Sequence, residues 1–260
     1  MSTARVTLVV LMGIAAVALA SACGGTGGGK FAALKALQAN CPNGKFAQLV
    51  ELDANITQRG EQMTTARLAV VKIVAMRTAA CKGHLRVVAF GPTASANVVL
   101  FDGDLVPGGA TANAQVWRIT PLADHAVSEV QKQMDARLST LSSEGEDPLG
   151  ALEGAAQYRL EVGDSVLHIL FETSGIATNG THINPETLTP ETADALAASV
   201  NVPEVSGAQL TWAGLGRVGA GPPPSTSFVT ALRSFYGEVC KRTKAASCIA
   251  VSDVAPGSGS

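Results

Sequence analysis

An alternation along the chain limits its fold more than any other feature. Short apolar runs take turns with segments of helical spacing over most of the length. The runs at 46–53 (FAQLVELD), 84–90 (HLRVVAF) and 166–171 (VLHILF) are apolar almost without a break. A strand of that kind is buried on both faces, which is the habit of a parallel sheet covered by helices. Helical spacing is predicted over 63–79, with Leu68, Val71, Ile73 and Val74 on or near one face. Further helices are expected over 122–141, 148–160, 190–200 and 225–243, with Asp147 as N-cap and Pro148 in the first turn of the second of these. Strands are expected at 97–101, 208–215 and 248–251. Gly91-Pro92-Thr93 is a turn signal between the second and third strands, so this pair reads as an antiparallel hairpin. The expectation is an α/β fold: a doubly wound, mostly parallel central sheet with one antiparallel edge strand and helices on both faces. In such sheets sites form at the carboxyl ends of the strands, here just after Asp53, Glu172 and Leu215.

The N-terminus carries an export signal. Arg5 is the only charged residue before Lys30, residues 6–19 are small and aliphatic, and Ala20-Ser21-Ala22-Cys23 follows. Charged start, apolar middle and small residues at a cut site are the parts of a secretory signal. The segment resembles a bacterial lipobox, with Ala20 where Leu is commoner, and it also fits ordinary small-x-small cleavage at the same bond. Either route leaves Cys23 first, and a lipid on Cys23 is what separates them. The apolar run is shorter than the roughly 20 residues of a membrane span, against an uncleaved anchor. The chain is therefore divided into a signal peptide at 1–22, a lipidated Cys23 with a Gly-rich tether and short lead-in at 23–44, one domain at 45–253 and a disordered tail at 254–260. The expected location is the extracytoplasmic face of the cell membrane, with a lipid (palmitate) anchor.

Without the signal, 18 basic and 21 acidic residues leave a net charge of −3. That balance argues against nucleic acid or an acidic membrane patch as a partner of the chain as a whole. Four cysteines remain after Cys23, an even count that suits disulfides in an exported chain. Cys41 and Cys81 each precede a predicted strand, and parallel neighbouring strands would put those starts side by side. Cys240 ends a helix and Cys248 opens a strand, so Cys41–Cys81 and Cys240–Cys248 are the expected pairs.

Asp53-Ala54-Asn55-Ile56-Thr57 follows the first strand, with oxygen-bearing side chains at alternate positions able to face one point. With the strand order, the stretch GEDPLGALEGAA (145–156) and the strand VLHILFETSG, this resembles a von Willebrand factor A (vWA) domain. The likeness covers about residues 45–253, and the stretch TWAGLGRVGAGPPPSTSFVTALRSFYGEVC is similar to actinobacterial secreted proteins with that domain. The resemblance implies a metal-ion-dependent adhesion site. On it, Asp53 matches the family's first Asp, Asn55 and Thr57 stand at its two serines, Glu146 followed by Asp147 at its threonine, and Glu172 at its late Asp. Every position keeps oxygen, but the pattern is divergent. Mg²⁺, Ca²⁺, or a carboxylate cluster with raised pKa values and no metal all stay open.

Gly214-Leu215-Gly216-Arg217-Val218-Gly219 spells a dinucleotide fingerprint, but Pro222-Pro223-Pro224 delay the helix that would meet a pyrophosphate, so no nucleotide is expected. His168 lies within a buried strand and reads as a core histidine. The leading expectation is a cell-envelope lipoprotein whose vWA-like domain binds an extracytoplasmic protein or ligand without catalysis. One alternative is an extracellular hydrolase using the Asp53, Glu146, Asp147 and Glu172 carboxylates. Another is a structural envelope protein with an inert site.

Overall fold

The computed structural model describes residues 28–55, 61–93, 96–141, 145–219 and 221–252. The expected export signal, Cys23, Thr57 and the tail from 253 lie outside the described residues. In chain order the elements are α1 (Gly28–Ala39), β1 (Phe46–Asp53), α2 (Glu61–Ala80), β2 (His84–Phe90), β3 (Asn97–Asp104), α3 (Ala112–Arg137), α4 (Pro148–Glu161), β4 (Val166–Glu172), α5 (Pro190–Ser199), β5 (Gln209–Ala213), α6 (Thr226–Arg242) and β6 (Ser247–Ala250). A 3-10 turn, Leu138–Thr140, follows α3.

The sheet has the order β3-β2-β1-β4-β5-β6. β1 pairs in parallel with both β2 and β4, β4 with β5, and β5 with β6. β3 alone runs antiparallel, as the short link at Gly91-Pro92-Thr93 implies. The α/β reading and its antiparallel edge strand are thus observed. Strand alternation explains the two cores. Ala47 and Leu49 of β1 and Leu167, Ile169 and Phe171 of β4 face α4, α5 and α6. Val50 and Leu52, with Leu170, face α1, α2 and α3. On the first side Phe171 stacks on Trp212 at 4.1 Å, and Trp212 meets Tyr236 at 4.6 Å.

Two helices differ from the sequence reading. Gly28 and Gly29, read as tether, open α1, which docks through Leu34, 1 % exposed. Burial of that face outweighs the poor helix propensity of the glycines. α3 starts ten residues before the expected 122, with Pro121 inside it. The Thr111 hydroxyl caps it by accepting from the Ala114 N–H, and the buried stripe Val116, Ile119 and Ala123 runs through the proline. The other boundaries agree closely, including Asp147 as N-cap of α4, where its side chain accepts from the Gly150 N–H at 3.0 Å. Among the described residues no helix is long and apolar enough to cross a membrane.

Both expected disulfides form. Cys41–Cys81 joins the chain before β1 to the end of α2, with Cα atoms 5.3 Å apart, and Cys240–Cys248 joins α6 to β6 at 5.5 Å. His168 is buried against Phe46 (rings 5.0 Å apart), and desolvation, helped by the nearby Arg77 charge, lowers its pKa to about 4. It is a neutral core histidine, as expected. The first disulfide spans 40 residues and holds α1 and α2 at the amino edge of the sheet. Replacing Cys41 and Cys81 together by Ala is expected to lower unfolding stability by about 2–4 kcal/mol in denaturant titrations, with the circular dichroism of the native state retained.

Candidate functional site

Between β1 and β4 the chain changes faces: α2 and α3 lie on one side of the sheet, α4 to α6 on the other. In sheets of this kind the carboxyl ends of the two strands at such a change of face are where a crevice is expected. Asp53, the last residue of β1, is fully buried there. Its Oδ1 accepts from the backbone N–H of Asn55 at 2.8 Å, a local turn that aims the carboxylate inward.

Glu146 reaches the same point from the loop before α4 and is 1 % exposed. The loop that follows β4 holds it on three sides. The Glu146 N–H donates to Thr178 Oγ1 at 3.0 Å. Its carbonyl accepts from the N–H groups of Thr178 and Asn179 at 3.1 and 3.2 Å. Its carboxyl accepts from Ser174 Oγ at 2.5 Å and from Thr173 Oγ1 at 3.3 Å. Gly145 makes this approach feasible: its φ is +90°, and a Cβ there would lie 2.8 Å from Asn179 Nδ2.

The Glu146 carboxyl lies close enough to Asp53 to feel its charge. Burial first, and then the Asp53 charge, push the Glu146 pKa well above the usual carboxylate range. Asp53 Oδ2 is buried, and no N–H or hydroxyl of the described residues donates to it.

The remaining expected site residues sit around this pair. Glu172 is buried at the end of β4, but strand alternation turns it to the α2 side, where its Oε2 is 3.8 Å from Arg67 Nε. Burial raises its pKa, Arg67 and Arg217 pull it back, and the charge of Asp53 adds to the rise. Asp147 caps α4. Asn55 sits beside Asp53 through the backbone bond already given. Thr57 lies outside the described residues.

The structure adds Thr173, Ser174 and Arg67, which the sequence reading did not single out. Ser174 and Thr173 follow directly on Glu172, where a carboxyl-end site recruits residues. Arg67 was legible too. It falls in the i, i+3, i+4, i+7 stripe with Val70, Val71 and Val74, so a charge was placed on the buried face of α2.

Among the described residues no group of three His, Cys, Asp or Glu side chains is placed to hold a metal ion. Two carboxyl groups and two hydroxyls are nevertheless hard oxygen donors. Asp53, Glu146, Thr173 and Ser174 are the residues that would hold a small hard cation, which would satisfy Asp53 Oδ2. The glycine run 214–219 forms a turn beside this crevice: the Gly216 N–H donates to the Ser174 carbonyl at 2.8 Å, and the next helix starts only at Thr226.

No protein-family model and no curated protein sequence matches the chain. Among solved structures, it is similar to the conserved hypothetical protein BatB from Bacteroides thetaiotaomicron, at 10 % identity and a TM-score of 0.41, covering 80 % of this chain and 91 % of that one. It is also similar to the pilus adhesin SpaC from Lactobacillus rhamnosus GG in its open conformation, at 12 % identity and TM-score 0.44, covering 82 % of this chain and 29 % of SpaC. Human COPII-coat protein Sec24c aligns at 11 % identity and TM-score 0.38, covering 83 % of this chain and 31 % of Sec24c.

The raised pKa of Glu146 has a thermodynamic sign. A group whose pKa is higher folded than unfolded gives stability that is complete below the unfolded value and is lost as pH rises through the folded one. Glu146→Gln copies the protonated state. In the presence of chelator its melting temperature is expected to match the wild type at pH 4 and to exceed it increasingly at pH 8, as read by calorimetry.

Proposed function

We propose that the chain is a non-catalytic binding module of the vWA type, held at the outer face of the cell membrane by a lipid on Cys23. In this reading the carboxyl-edge crevice is the recognition face. The observation that carries it is the buried Asp53–Glu146 pair, with Ser174 and Thr173, at the point where the strand order reverses. Burying two acids there is costly, and neither core needs them. A recognition site is a reason to keep them.

The site of the resembled family is divergent here, and the divergence has a chemical meaning. Where a threonine hydroxyl is implied, Glu146 brings a second carboxyl, so proton and cation compete for one set of oxygens. A bound Mg²⁺ or Ca²⁺ would supply a positive charge at the crevice floor, suited to an acidic group of a protein partner. The hydrolase alternative gains no support from this geometry. The pair is enclosed by Ser174, Thr173 and the 178–179 loop, and each of those hydroxyls is already hydrogen-bonded within the cluster or to the backbone.

The test is capture of partners from the native membrane with the tethered protein, with and without chelator. The expected result is a partner retained by wild type, lost at least tenfold in Asp53→Ala, and weakened by chelator with rescue by Mg²⁺ or Ca²⁺. Equal capture by wild type and Asp53→Ala would remove the crevice from recognition. Ester or glycoside hydrolysis abolished by Asp53→Asn would replace the binding reading by the hydrolase.

A further inference from the structure

The amino edge of the sheet, opposite the crevice, carries a surface of a different kind. α1 leads into β1, and Cys41–Cys81 fastens its end there. β3 runs antiparallel and ends with Asp104 opposite His84, the first residue of β2. So α3 also starts at the amino edge, and Trp117 lies in its second turn.

Trp117 is 50 % exposed, unusual for a tryptophan in a chain with so few aromatics. Its ring lies 5.1 Å from that of Phe31 in α1, and Lys35 Nζ stands 4.9 Å over the Phe31 ring. Lys30, Lys35 and Arg118 are all exposed around this pair. No acidic residue occurs before Glu51, nor between Asp104 and Asp124. The segments that carry these two rings are therefore basic. An exposed tryptophan, with an apolar body and a polar N–H, beside a phenylalanine and exposed Lys and Arg suits the headgroup region of an anionic bilayer.

The tether decides which occupant is within reach. Cys23 and Gly28, the first residue of α1, are five residues apart. Fully extended, that is at most about 18 Å. A lipid on Cys23 would hold the start of α1 within that distance of the membrane, and Phe31 is in the first turn of α1. We infer that the Phe31–Trp117 corner, with Lys30, Lys35 and Arg118, rests on an anionic membrane surface, so that the Asp53–Glu146 crevice points away from it. This inference rests on the anchor reading. One acyl chain alone binds a membrane marginally, and a basic aromatic face would be the second contact that makes it firm.

The experiment uses the full chain in its mature form, reconstituted into phosphatidylethanolamine–phosphatidylglycerol vesicles with brominated acyl chains. Trp117 emission is expected to move to shorter wavelength and be quenched, while Trp212, fully buried in the core, is not. Trp117→Phe should remove the quenchable signal. In the unacylated Cys23→Ser chain, Lys30→Gln with Lys35→Gln should weaken partitioning into anionic vesicles roughly 30-fold, about fivefold for each lysine. Mass spectrometry of Cys23 separates the two readings. Acylated protein with unquenched Trp117 overturns the docking face and leaves the anchor standing. Unmodified Cys23 with Trp117 quenched by added vesicles removes the anchor and leaves the docking face standing. Trp117 shielded from acrylamide without lipid would also overturn the proposal, in favour of a second copy where shielding rises with protein concentration and of a segment of this chain where it does not.

Discussion

The parallel pairing of β1 with β2 on one side and β4 on the other organises the whole molecule. β1 lies at the centre of the sheet, so the chain must cross from it to opposite faces before and after the reversal. The carboxyl ends of β1 and β4 at that reversal are where sheets of this kind place their sites. Asp53 ends one of those strands, and Thr173 and Ser174 begin the loop after the other. Glu146 arrives from the loop that starts α4, the first helix on the second face. The same pairing sets the opposite edge, where α1, the Cys41–Cys81 bridge and the start of α3 gather. One topological fact thus gives the domain two unlike ends.

The buried acids show where local stability gives way to something else. Glu51, Glu146 and Glu172 are each at most 2 % exposed, and burial is the largest influence raising the pKa of each. Their responses to pH agree in sign: each withdraws stability as pH rises through its folded pKa. His168 acts in the opposite sense. Its folded pKa of about 4 lies below the ordinary 6.5, so its contribution is lost as pH falls from about 6.5 towards 4. Arg67 offsets the cost for Glu172 from the α2 side, whereas Asp53 Oδ2 has no hydrogen-bond donor among the described residues.

Much of this was readable from the sequence. Continuous apolar strands, one short hairpin link and the positions of four cysteines suffice for the sheet, its antiparallel edge and both disulfides. Period-2 and period-3.6 patterns are strong signals where burial is two-sided. α1 was not readable, because GGKFAALKALQA opens with glycines and its stability comes from docking Leu34 rather than from propensity. The start of α3 was hidden by Pro121, which a capped helix with a buried stripe can carry. At the site, Asp53 and Glu146 were both named, and the charge of one bears on the other. Glu172 was named with them; the pleat turns its carboxyl toward Arg67 on the α2 side, while the charge of Asp53 still reaches it. Ser174, beyond the end of β4 where the pleat no longer applies, donates to Glu146. Which side chains converge on a crevice depends on loop geometry that no periodicity encodes.

The central claim is that recognition uses the carboxyl edge between β1 and β4. It is tested most directly by photo-crosslinking in the native envelope, with a photoreactive side chain placed at Asn55 on that edge or at Lys45 on the amino edge. The account predicts a protein adduct from position 55, reduced by Asp53→Ala, and none from position 45. Protein adducts from position 45 alone would contradict it.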